Sequence, residues 1–156
     1  MLPVFKSHVN FNTTGIKKMN EIINHVTAIL DICMEIKVKK NHFPHRANIM
    51  YRNGIVANTW ILPSCQSIYT TNFGSVTFTG EPLTTFPVVI PDFCEEKLFS
   101  AIKNDQAGQC SFREFLLNIW CAGVVRYDVN FSHRTVTYYG VSGDEWEESY
   151  PEVTTS

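Results

Sequence analysis

The stretch Gly123-Val124-Val125-Arg126-Tyr127-Asp128-Val129-Asn130-Phe131-Ser132-His133-Arg134-Thr135-Val136-Thr137-Tyr138-Tyr139-Gly140 decides the fold. Within it Val125, Tyr127, Val129 and Phe131 alternate with Arg126, Asp128 and Asn130, the period of two that places neighbouring side chains on opposite faces of a strand. Ser132-His133-Arg134 turns the chain, and Thr135 to Gly140 returns, so the stretch reads as an antiparallel hairpin. Just before it, Phe112, Phe115, Leu116, Ile119 and Trp120 recur at helical spacing and stop at Gly123. A glycine there suits a left-handed residue closing a helix, where a side chain would strain the backbone. After the hairpin, Val141 to Asp144 turn again, and Glu145 to Tyr150 form a third, acidic edge strand stopped by Pro151.

The same order of signals occurs earlier in the chain at an ungapped offset of 69 residues. Phe43 answers Phe112, Gly54 answers Gly123, Tyr69 answers Tyr138, Gly74 answers Gly143 and Pro82 answers Pro151. Conservative pairs fill in between: Met50 with Ile119, Tyr51 with Trp120, Ile55 with Val124 and Val56 with Val125. Phe43, Ala47, Met50 and Tyr51 make the helix that ends at Gly54. Strands are then predicted over Val56 to Leu62, Gln66 to Asn72 and Ser75 to Thr79. Glycines, prolines and core-type aromatics fix turns and contacts, so their recurrence signals an internal duplication.

Each unit is preceded by a further helix. Ile16, Met19, Ile23, Val26, Leu30 and Cys33 step by three and four, with Lys37, Lys39 and Lys40 at the end where cations suit the helix dipole. Asp92 to Asn104 carries Leu98, Phe99, Ala101 and Ile102, with Asp92 and Glu95 spaced as a capping box. Met19 is also a candidate internal start, which would leave Met1 to Lys18 as a poorly ordered extension. The fold class is therefore α+β: two related helix-helix-strand units, about 16–83 and 92–153, joined by a linker over 84–91. An antiparallel sheet is packed by helices. A half of this length rarely builds a sufficient core alone, so residues 1–156 are expected to form a single domain in which the units share one core.

Gln106-x-Gly108, Phe112-x-x-Phe115, Ala122-Gly123-Val124, Tyr127-x-Val129, and Thr135 to Gly140 followed by x-x-Gly143 recur through the second unit. Together they resemble the YbcV-like family, small prophage-associated bacterial proteins that carry the label "phage envelope protein". The resemblance is close over 99–153 and loose over 43–82. It implies an α+β fold and a prophage origin, and it carries no catalytic residue across.

Composition limits the function classes. The chain has 156 residues, of which 44 percent are hydrophobic and 18 percent charged, the profile of an ordinary globular protein. No run reaches the roughly 18 apolar residues of a membrane span, and the N-terminus lacks a basic region followed by an apolar core. Five cysteines without a Cys-x-x-Cys pair point to reduced thiols and a cytoplasmic setting. The net charge of −2 is divided unevenly. Residues 1–83 carry eight Lys/Arg against four Asp/Glu, and residues 84–156 carry five against eleven. That imbalance argues against nucleic acid and suits attraction between halves or subunits, although two solvated faces would look the same.

Each chemical constellation has a plainer reading beside it. His42 and His45 flank Pro44 at a helix start, and Cys110 occupies the position equivalent to Asn41, yet no third and fourth metal ligand is visible. Surface histidines are the simpler interpretation. Cys110 sits ahead of a helix start, the end that favours a thiolate, whereas Cys121 sits at a helix end, which disfavours one; His133 would serve as base only if folding delivered it. The run Asp144, Glu145, Glu147, Glu148 reads as edge protection before it reads as a carboxylate pair. Tyr138 and Tyr139 must face opposite ways, leaving one for the core and one for a groove or subunit contact. No Walker loop, Gly-x-Ser-x-Gly elbow or His-Glu-x-x-His occurs.

The expected function is a non-catalytic accessory module of prophage origin acting through protein contacts, as a homodimer and with a further protein partner. No catalytic residue, metal or cofactor is assigned, and the reading leans away from an enzyme. The alternatives are a small-molecule pocket or an undiscovered enzyme site between the units, and a structural part of a virion.

Overall fold

The computed structural model describes residues 13–36, 42–85 and 88–153. Its elements are α1 (Thr13–Met34), α2 (His42–Arg52), β1 (Ile55–Ile61), β2 (Gln66–Thr71), β3 (Gly74–Thr79), α3 (Glu95–Gln106), α4 (Phe112–Cys121), β4 (Val124–Asn130), β5 (Thr135–Gly140) and β6 (Glu145–Ser149). The strands form one antiparallel six-stranded sheet in the order β3-β2-β1-β4-β5-β6, so the helix-helix-strand arrangement occurs twice and the two copies meet at β1 and β4. Lys37, Lys39 and Lys40 lie outside the described residues. Residues 13–18, which an internal start at Met19 would leave in an extension, form the first turns of α1.

The register at the junction ties the duplication to a local twofold relation. Thr59 lies opposite Asp128, and these two residues are 69 apart, the repeat offset itself. The flanking pairs exchange under the same offset: Ala57 with Asn130 maps onto Arg126 with Ile61. Further out the copies remain in step. Asn58 pairs with Tyr69 and Tyr127 with Tyr138; register shifts fall between Ile55 and Ala57 and again between Val124 and Arg126. The hairpin corners repeat as well, with Cys65 at φ 59° and Arg134 at φ 53°.

The symmetry fails at the third strand. β2 turns into β3 with Thr71 paired to Gly74, a two-residue connection, whereas β5 reaches β6 through a longer turn closed by the Asp144 carbonyl accepting from the Gly140 N–H at 2.9 Å. As a result Ser67 pairs with Phe78, but its counterpart Val136 pairs with Glu148, an offset of 70. Because strand faces alternate, one extra turn residue changes which side chain points inward. Glu148 stands where the first unit has the buried ring of Phe78.

One face of the sheet carries the helices. Val26, Ile29 and Cys33 of α1, Ala47 of α2, Leu98, Ala101 and Ile102 of α3, and Phe115, Leu116, Ile119 and Trp120 of α4 join Tyr69, Val76, Phe78, Tyr127, Val129 and Tyr138 in one cluster. Residues of both units thus bury a common interior. The echoed Tyr69 and Tyr138 are both part of it, 7 and 4 percent exposed. The second helices also reach across the junction. Phe43 at the start of α2 packs edge-on against Tyr150 beyond β6, with ring centroids 5.0 Å apart, while Arg113 at the start of α4 donates to the Glu81 and Pro82 carbonyls beyond β3, both at 3.1 Å.

Capping differs from the sequence expectation. α3 begins at Glu95 with Cys94 as its N-cap and no side-chain cap, so Asp92 and Glu95 form no capping box. The segment before α3 is committed elsewhere: the Cys94 N–H donates to the Ala122 carbonyl at 2.8 Å, and Asp92 and Phe93 run over Gly123. The capping box belongs to α4, where the Ser111 hydroxyl accepts from the Glu114 N–H and the Glu114 carboxylate accepts from the Ser111 N–H.

Gly54 and Gly123 both follow a helix with positive φ, +88° and +90°. Their surroundings differ. A Cβ on Gly54 would meet nothing within 4 Å, while one on Gly123 would lie 2.5 Å from the Asp92 carbonyl oxygen and 2.5 Å from the Phe93 Cα. Gly54→Ala is therefore expected to cost about 1 kcal/mol from backbone strain alone. Gly123→Ala is expected to cost about 3 kcal/mol or more, because Asp92 and Phe93 must also move. Urea denaturation of the two variants checks this, and equal losses would contradict it.

Candidate functional site

The outer face of the sheet has no described helix over it, and its residues differ sharply from those of the inner face. Gln66, Ile68, Thr70, Ser75, Thr77 and Thr79 occupy the first unit, and Arg126, Asp128, Thr135, Thr137, Tyr139, Glu145 and Glu147 the second. Across its middle runs a ladder of opposed pairs, Thr59 to Asp128, Asp128 to Thr137 and Thr137 to Glu147. The Thr59 hydroxyl donates to Asp128 Oδ1 at 2.9 Å, and the Thr137 hydroxyl donates to Glu147 Oε2 at 3.1 Å. Arg126 reaches Asp128 Oδ2 at 3.5 Å and lies 4.3 Å over the Tyr139 ring, which it fixes as a wall.

The β4–β5 corner closes one side of this area. Asn130 Oδ1 accepts from the Ser132 hydroxyl at 2.8 Å and from the His133 N–H at 3.1 Å. Its amide nitrogen lies 3.3 Å from His133 Nδ1, so a neutral His133 carries its proton on Nε2. Thr59, Asp128, Asn130, His133, Thr137 and Glu147 are among the residues that line a shallow concavity of about 420 Å³. The lining is rich in acceptors, because Thr59 and Thr137 each donate their hydroxyl proton to a carboxylate and keep their lone pairs. Donors on a bound molecule would find acceptors there.

A second polar group is on the inner face. Glu145, Glu147 and Ser149 point outward, but Trp146, Glu148 and Tyr150 are partly buried, so edge protection does not describe Glu148. Its Oε1 accepts from the Tyr138 hydroxyl at 3.4 Å. Burial pushes the Glu148 carboxyl above its ordinary value; Tyr138 and Lys103 pull it down, and Asp105 pushes it further up. Asp105, at the end of α3, is also raised by burial, against the opposing charges of His42 and Arg46. The Nε of Arg46 is buried without a hydrogen-bond partner. At the equivalent place in the first unit stand Phe78 and Tyr69, in edge contact at 5.6 Å.

The remaining candidates disperse. His42 lies near Asp105, and among the described residues no cluster of three His, Cys, Asp or Glu is arranged to hold a metal. Cys110 does not gain the thiolate character expected of its position: burial, Asp105 and Glu114 all raise its pKa. Cys121 is exposed, Cys33 and Cys65 are buried, and His133 is engaged by Asn130 and not by a thiol. Tyr138 is the inward and Tyr139 the outward member of the tyrosine pair, as alternation requires. No described helix is long and apolar enough to cross a membrane.

The fold defines an α+β protein of two fused, twofold-related units with an acceptor-lined concavity at their seam. Residues 34–147 match the family described as "Protein of unknown function (DUF1398)", and the chain belongs to that family. It is similar to uncharacterised proteins of Mycobacterium bovis and Mycobacterium tuberculosis, 39 percent identical over 137 residues that span 88 percent of this chain and 84 percent of theirs.

The raised carboxyls set a direction for pH dependence. Above the ordinary values of 4.5 for Glu148 and 3.8 for Asp105, the folded chain holds protons that the unfolded chain has released. Stability from these groups is complete below those values and is lost as pH rises through the higher folded ones. Glu148→Gln keeps an acceptor for Tyr138 and removes the titration, so its stability is expected to fall less than that of the parent chain over this window. Identical slopes in urea denaturation across the window would refute the assignment.

Proposed function

We propose that this protein is a non-catalytic binding module that holds a small molecule bearing amine and hydroxyl groups on the outer face of its sheet, at the seam between the units. The observation that carries this reading is the concavity at the seam, whose lining offers acceptors and the carboxylates of Asp128 and Glu147. Each carboxylate is fixed by a threonine hydroxyl, an arrangement suited to holding donors in place. Hydrophobic walls are few, so selectivity would come from the matching of donors to acceptors. The resemblance of residues 99–153 to prophage-associated proteins supports placing this role in a prophage setting.

The test is a titration of the isotopically labelled protein, observed by amide NMR, with glucosamine, glucose and spermidine. These supply amine with hydroxyls, hydroxyls alone and amines alone. Glucosamine is expected to give saturable shifts at Thr59, Asp128, Asn130, His133, Thr137 and Glu147, with weaker responses to the other two. Asp128→Asn is expected to weaken binding by roughly tenfold, since a charge-assisted bond becomes a neutral one. If none of the three compounds gives saturable shifts, or if the shifts map to another surface, the proposal fails.

A further inference from the structure

The two carboxylates of the concavity are not equivalent. Asp128 Oδ1 accepts from the Thr59 hydroxyl at 2.9 Å, and Oδ2 faces the Arg126 guanidinium at 3.5 Å. Arg126 is held in turn 4.3 Å over the Tyr139 ring, and it is the only lysine or arginine in the six strands. The charge of Asp128 is thus partly balanced before any ligand arrives. Glu147 Oε2 accepts from the Thr137 hydroxyl at 3.1 Å, but among the described residues no cation forms an ion pair with Glu147. Glu145, two residues earlier on the same outward face, adds a second negative charge at that side. One side of the concavity is near neutral and the other is anionic.

Register fixes the distance between the two sides. Asp128 on β4 and Glu147 on β6 stand in one row, both opposite Thr137 on β5. Two strand spacings set their backbones about 10 Å apart. Asp128 bonds toward β1 and Glu147 toward β5, so both hydrogen bonds draw their carboxylates the same way along the row and leave that separation in place. A molecule bridging the two through hydrogen bonds of about 2.8 Å has donor atoms about 4 to 5 Å apart, the span of one six-membered sugar ring. An ammonium approaching Asp128 is repelled by Arg126, whereas a hydroxyl donates there without bringing a charge. At Glu147 nothing opposes the cation.

We infer that Glu147 is the ammonium position and Asp128 the hydroxyl position of the concavity, and that Arg126 sets this order by keeping a second cation away from Asp128. The favoured ligand is then a singly charged amino sugar and not a polyamine. The assignment rests on the small-molecule reading above and deepens it by fixing which end of the ligand lies over β6.

Amide NMR titrations of the parent chain and its variants with glucosamine, glucose and spermidine test it. Glu147→Gln is expected to lower the preference for glucosamine over glucose by roughly threefold to fivefold, the size of one solvent-exposed ion pair. Asp128→Asn is expected to weaken both sugars alike and keep the preference. Arg126→Gln is expected to tighten spermidine binding by roughly threefold to fivefold, while Lys97→Gln, on the exposed side of α3, is expected to leave it at the parent value. Carboxyl-carbon shifts of the parent chain give the same comparison should a variant fold poorly: glucosamine is expected to move Glu147 more than glucose does, and both sugars to move Asp128 alike. A preference that survives Glu147→Gln, or that Asp128→Asn removes, overturns the assignment and leaves the binding reading standing. So does an Arg126→Gln variant that binds spermidine no better than the parent chain. If none of the three compounds gives saturable shifts with the parent chain or with Arg126→Gln, both fall.

Discussion

The antiparallel pairing of β1 with β4 is the constraint on which the rest of the molecule depends. Each unit by itself offers three strands and two helices, too little apolar surface to offset the entropy of ordering the chain. Pairing the two first strands makes one sheet from two halves and creates an inner face wide enough for four helices. An antiparallel ladder is also the arrangement a local twofold relation permits between equivalent strands, since a parallel pair has no such axis normal to the sheet. The axis falls between Thr59 and Asp128, which is why equivalent positions of the two copies meet there as neighbours.

Departures from that relation mark where the halves have acquired different chemistry. At the axis a threonine faces an aspartate, a hydrogen-bonded pair that a strictly duplicated sequence would not supply. At the end of the second unit the longer turn before β6 slides the strand by one residue, and a carboxylate enters the place of a phenylalanine. The two changes act on opposite faces. One creates acceptors toward solvent, and the other embeds ionisable groups near Tyr138 and Asp105.

Much of the architecture was legible because it is local or periodic. The alternation through β4 and β5, the glycines after α2 and α4, and the echo of Tyr69 by Tyr138 each follow from residue order, and the structure agrees with them. Cap assignment at Asp92 and Glu95 went astray because the same segment is held by Ala122 and Gly123, a contact that spacing does not reveal. The Ser111-x-x-Glu114 pattern was the signal for the true cap. Glu148 was misread because its face depends on the number of residues in the preceding turn. The outer concavity was not legible at all: Thr59, Asp128, Thr137 and Glu147 come from four strands, and only the register makes them neighbours.

The crossed placement of the second helices bears on how the chain comes to be made. Phe43 waits for Tyr150, and the carbonyls of Glu81 and Pro82 wait for Arg113, so the leading half leaves the ribosome without the groups that close it. At ordinary elongation speeds the 69 residues separating Thr59 from Asp128 take on the order of ten seconds to appear. Throughout that interval β1 is an unpaired border and the floor beneath Trp60 is open. A growing chain in that state exposes apolar surface and an unpaired strand edge, the features that favour aggregation.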